Sequence, residues 1–158
     1  MCDYSLYTIA NRLAEEGEEV VLHKFATGTL GFASAADVIG LERTLKPKTS
    51  GFWSALKECV SPRRLPRFPA ICIPPGGRLL LTGVPRKVQT SLCIGSSEMA
   101  VFTELSERSY SYRDALLLPN GTRVLLQDLP EGLHAVVLST SSEPAAETAG
   151  KELQHAAA

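Results

Sequence analysis

The chain has 158 residues, 44% of them apolar and 21% charged, with a formal net charge of −1. That length suits one domain with a tail and can bury about 70% of its unfolded surface, so no disulfide or metal staple is required. The balanced charge excludes a global field for nucleic acid or membrane, and no apolar run approaches the ~18 residues of a bilayer-crossing helix.

The N-terminal residues lack a basic region followed by an apolar core, so no signal peptide is expected. Residues 3–10 alternate Tyr4, Leu6 and Thr8 with Ser5, Tyr7 and Ile9, which predicts a first strand, with a short helix as the alternative. Residues 15–19 are a charged turn, 20–25 a second strand, and 27–32 a glycine-containing loop or distorted strand. Ser34 is placed to cap a helix over 35–45, with Asp37 near its positive end and Pro47 as its stop. In 49–60, Phe52, Trp53, Leu56 and Val60 fall near helical spacing, and the three prolines of 62–69 then impose an extended, basic loop.

Strands are predicted at 70–73, 78–82, 88–94 and 98–105, separated by turns containing glycine, proline or serine. The alternation of Val88, Thr90, Leu92 and Ile94 carries the third of these. The most legible stretch is 114–139, which reads as a three-stranded antiparallel meander. Its first turn is Pro119-Asn120-Gly121-Thr122, where Asn-Gly tolerates positive φ, and its second is Pro130-Glu131-Gly132. Residues 140–158 are small, polar and alanine-rich and predict a disordered or weakly helical tail. Residues 1–139 are therefore expected to form a single mainly β domain, an antiparallel small barrel or sandwich with one or two short helices in the first half.

Three groups of residues invite a chemical reading. Removal of Met1 would leave Cys2 at the N-terminus, where its own α-amine titrates close to the thiol and can take the proton from sulfur. Through that one residue the chain resembles the glutamine amidotransferases of the N-terminal nucleophile class, although Asp3 stands where they carry glycine. The resemblance implies a hydrolase or amidotransferase-like enzyme with Cys2 as nucleophile, and Asp114 is the carboxylate that the meander would present to it. The second group is basic: Lys46, Lys48, Arg63, Arg64 and Arg67, with Phe52, Trp53 and Phe68 interleaved, suit an anionic surface, a phosphate or a nucleic acid. The same pattern describes a solvated loop with its aromatics turned inward.

The third group comprises Cys2, Cys59, Cys72, Cys93, His23 and His134, which are adequate metal ligands but lack the paired two-to-four-residue spacing of zinc sites. No metal is therefore expected, and without a secretory leader the thiols are expected to be reduced in a cytoplasmic protein. No phosphate loop, dinucleotide fingerprint or nucleophile elbow is present, so no cofactor is expected.

The opening Met1-Cys2-Asp3-Tyr4-Ser5-Leu6, with Asp114-Ala115-Leu116 and the Pro-Asn-Gly turn, resembles a family of small uncharacterised bacterial proteins that begin MCDYSL. That resemblance implies a bacterial source. The combined expectation is a non-catalytic binding or protein-interaction module with a protein partner, no membrane insertion and an oligomeric state that the sequence does not specify.

Overall fold

The computed structural model describes residues 6, 8–45, 68–105 and 112–141. Its framework is one nine-stranded sheet curled into a half-barrel. In chain order the strands are β1 (Asn11–Leu13), β2 (Glu19–Lys24), β3 (Leu30–Ser34), β4 (Ala70–Cys72), β5 (Arg78–Thr82), β6 (Glu98–Glu104), β7 (Asp114–Leu117), β8 (Arg123–Leu125) and β9 (His134–Ser139). Helix α1 (Ala35–Leu45) follows β3 directly, and α2 (Arg86–Leu92) lies between β5 and β6. Across the sheet the order is β1-β4-β3-β2-β9-β5-β6-β7-β8. The mainly β architecture with short helices is the one that the alternation and turn residues predict.

Period-two alternation sorts the strands into an inner and an outer face. Val20 and Leu22 of β2, Leu79 and Leu81 of β5, Phe102 of β6, Leu116 of β7 and Val137 of β9 share one core inside the curl. On the outer face, Phe25, Ala33 and Ala70 join Leu6 in a second cluster, against which Val38 of α1 and Phe68 pack. The helix thus covers only the β2–β3 end of the outer face.

The curl is fastened by a side chain. Edge strand β8 runs into a 3-10 turn, Leu126–Asp128, which drops Leu126 into the core. Gln127 then spans to β3: it accepts the Leu30 N–H at 3.0 Å and donates to the Leu30 carbonyl at 2.8 Å. Its amide occupies both hydrogen-bonding groups of one β3 residue, as a neighbouring strand would. The two edge strands, β1 and β8, are three residues long. In addition, Arg12 Nη1 donates to the Leu13 carbonyl at 3.1 Å, which blunts the β1 edge against further pairing.

Arg12 also grips Glu18 with both guanidinium nitrogens, across the turn between β1 and β2. That hydrogen bonding, opposed by partial burial, holds the Glu18 carboxyl below its ordinary value of 4.5. A depressed folded-state pKa stabilises the fold above the unfolded value, and the contribution is lost as pH falls through the folded one. Arg12 is 38% exposed, so solvent screening limits the pair to about 1 kcal/mol at most. Denaturant midpoints of Glu18→Gln and the parent protein are expected to differ slightly near neutral pH and to converge in acid. A gap that widens on acidification would contradict the assignment.

Several expectations require correction. The described residues of 3–10 do not form a strand: Leu6 and 8–10 lie in a turn, with the Ile9 N–H donating to the Leu6 carbonyl at 2.9 Å, and the first described strand is β1. Leu6 is 2% exposed in the outer cluster, so its burial serves a turn and not an alternating strand. β1 also pairs with β4 in parallel, whereas the other described pairings are antiparallel.

The stretch 88–94 is α2, a helix past the chain midpoint. Val88 and Leu92 are four residues apart, a spacing that shares a face in a strand and in a helix alike. Pro85 decides between them: its carbonyl accepts the N–H groups of Val88 and Gln89 at 2.9 and 3.0 Å, and the Gln89 side chain donates back to the Val84 carbonyl at 2.7 Å. Both apolar residues and Ile94 still pack against the core.

The meander is only half formed. β7 and β8 are a hairpin, but β9 pairs with β2 and β5. Leu126, Leu129 and Leu133, at 1%, 6% and 4% exposure, bury the intervening segment as it crosses the core, so the turn at Glu131–Gly132 forms but does not join neighbouring strands. The predicted segments 49–60 and 62–67 and the tail from 142 lie outside the described residues.

Candidate functional site

Among the described residues an open cleft of about 310 Å³ lies between α1 and the adjoining ends of β2 and β9. Local sequence explains its walls. Because α1 begins at the residue after β3, it folds straight back over the sheet, and Val38, Ile39 and Leu41 form one side. Alternation along β2 sends Val21 and His23 to the outer face, and Val21 sits directly across from His134 of β9. Ile39 is 41% exposed, so this apolar wall faces solvent.

The polar end is assembled from the chain crossing before β9. Gly132, at φ 84°, takes a conformation that favours glycine, and its N–H donates to the Leu22 carbonyl at 2.7 Å. The Leu22 N–H returns a bond to Leu133 at 2.8 Å, so the turn lies flush against β2. Glu131 is thereby brought to His23. One carboxylate oxygen, Oε1, accepts the Lys24 N–H at 3.0 Å and lies 3.3 Å from His23 Nδ1. The imidazole is held on its other sides by Phe25 and Phe68, with ring centroids 5.3 and 5.1 Å away. His23 is therefore oriented before any ligand arrives.

The predicted site residues fare differently. Cys2, Lys46, Lys48, Arg63, Arg64 and Arg67 lie outside the described residues. Asp114 opens β7 at 6% exposure, opposite Glu104 in the β6–β7 register, and is engaged in an interaction of its own. It lies in β7, next to the edge strand β8, and does not line the cleft. Of the possible metal ligands, His23 and His134 do share the cleft, whereas Cys93 is an exposed thiol at the left-handed end of α2. No group of three or more His, Cys, Asp or Glu suited to a metal occurs among the described residues.

Cys72 overturns the expectation of reduced thiols, because it is disulfide-bonded, to a residue outside the described set.

Glu131 and the α1 wall were not singled out by sequence reasoning. Pro130-Glu131-Gly132 reads as a turn, and nothing local signals that its carboxylate meets a histidine on a strand from the other end of the chain. Chemically, the described residues of the cleft offer an apolar wall, two imidazoles and a carboxylate. No protein-family model, curated protein or solved structure matches this chain.

Proposed function

We propose that the chain is a small non-catalytic bacterial binding module that engages a protein partner through the cleft beside α1. The observation that carries this reading is the exposed apolar wall around Ile39, set against a histidine whose orientation is already fixed by Glu131 and two phenylalanines. Preorganised polar groups beside exposed apolar surface reduce the ordering cost of association. The recess, at about 310 Å³, is at the small end of ligand sites, with room for one or two side chains but not for a dinucleotide.

A protein is favoured over a small molecule because the apolar surface continues past the cleft. Val136 of β9, Leu80 of β5 and Met99 of β6 form a cross-strand row on the outer face, and Leu138 beside them is 41% exposed.

The test is Ile39→Asp. The side chain is exposed, so circular dichroism and melting temperature are expected to stay close to those of the parent protein. Quantitative comparison of proteins cross-linked to the two forms in cells of the source organism is expected to show a partner reduced about tenfold or more by the substitution, the loss of one well-placed apolar anchor. A set of cross-linked proteins that is indifferent to Ile39 would remove the cleft as the recognition surface.

A further inference from the structure

We infer that the cleft receives a cationic side chain, the lysine or arginine of a protein partner, with its aliphatic stem along α1 and its charged head at Glu131. This rests on the binding reading above and names the chemistry of the group bound. The argument is one of complementarity. Glu131 is 52% exposed, and the bonds it makes within the cleft use Oε1, from Lys24 N–H and alongside His23 Nδ1. Its carboxylate is anchored and still faces solvent. Among the described residues that line the cleft, Glu131 carries the carboxylate, with the imidazoles of His23 and His134 on the same recess.

A cleft that offers a half-exposed carboxylate fits a group rich in donors, and guanidinium and ammonium are the protein groups that carry only donors. The apolar wall from Val38 to Leu41 suits the methylene stem, which long cationic side chains lay along apolar surface while the head stays hydrated. A carboxylate or phosphate would meet Glu131 as a like charge.

The test uses nitrogen-15 amide spectra of the full chain titrated with three probes: Nα-acetyl-arginine methylamide, its neutral citrulline analogue and Nα-acetyl-glutamate methylamide. The arginine probe is expected to move the amides of His23, Lys24, Ile39, Glu131 and His134 saturably, with the citrulline probe weaker and the glutamate probe silent there. Glu131→Gln is expected to weaken the arginine probe about threefold to fivefold, the scale of an exposed ion pair, while the rest of the spectrum superposes on the parent. Equal binding of arginine and citrulline, or no effect of Glu131→Gln, would overturn the cationic assignment and leave cleft binding intact. Absence of binding by all three probes also overturns it, and the Ile39→Asp comparison then decides separately whether the cleft engages a partner at all.

Discussion

Gly77→Ala is expected to destabilise the protein by about 2 kcal/mol, within the range for overpacking a filled core. Gly77 sits where the chain leaves β4 and enters β5. Its N–H donates to the Pro74 carbonyl at 2.9 Å, and its carbonyl accepts the Phe102 N–H of β6 at 2.7 Å. A Cβ there would lie 2.7 Å from Ile73 Cγ2 and 3.0 Å from the Pro74 carbonyl oxygen, with the Ser139 carbonyl at 3.4 Å. Ile73 is 1% exposed within the main core and has little room to move, and the other two contacts are backbone. Relief must come from displacing the β5 entrance, at the point where the β5–β9 register already shifts between Arg78 and Leu79.

Gly40→Ala is the control. It lies in α1 with nothing within 4 Å of an added Cβ, and relief of the helical glycine penalty is expected to stabilise by up to about 1 kcal/mol. Urea denaturation of the two variants measures both effects. A Gly77→Ala protein as stable as the parent would show that the β4–β5 turn adapts freely.

The same region shows how far local pattern reaches. Strands β5 and β6 and the turn between β4 and β5 follow from alternation and from Pro74-Pro75-Gly76-Gly77, because a two-residue period with turn residues at its ends has few other solutions. Helix α1 was equally legible from its acidic first turn, Asp37, and from the helix formers of 35–45. The information failed where one apolar spacing serves two structures, as with Val88 and Leu92, and where a short connection was taken to imply neighbouring strands, as with β8 and β9. In the second case Leu126, Leu129 and Leu133 had to be recognised as core-crossing residues, and that depends on a core assembled from distant parts of the chain. The candidate site was legible only in fragments. His23 and His134 stood out by residue type, but the carboxylate that orients His23 comes from a turn more than a hundred residues away, and no local pattern encodes that contact.

Gln127→Ala is expected to cost about 2–3 kcal/mol, because it removes two hydrogen bonds and leaves a partly buried N–H and carbonyl on Leu30 without their partner. The substitution tests whether the half-barrel is held shut by this amide or by burial of Leu126 and Leu129 alone. Loss of closure should also raise amide exchange at Leu30 more than at Leu79, which lies at the centre of the sheet.

Gln127→Glu separates the two hydrogen bonds. The introduced carboxylate can still accept the Leu30 N–H, but it opposes the Leu30 carbonyl with a negative charge, so near neutral pH the variant is expected to be no more stable than Gln127→Ala. Partial burial and that repulsion raise the folded-state pKa above the unfolded value of about 4.3. The resulting contribution is present below the unfolded value and is lost as pH rises through the folded one. Relative to Gln127→Ala, Gln127→Glu is therefore expected to gain stability on acidification, when a protonated carboxyl can again donate to the Leu30 carbonyl. This is the opposite of the trend expected at Glu18, so one pair of denaturation series at about pH 4 and about pH 7 distinguishes a donor lost at the barrel seam from a general acid effect. Stability of Gln127→Ala equal to the parent would transfer the closure to the leucines and leave the amide as a bystander.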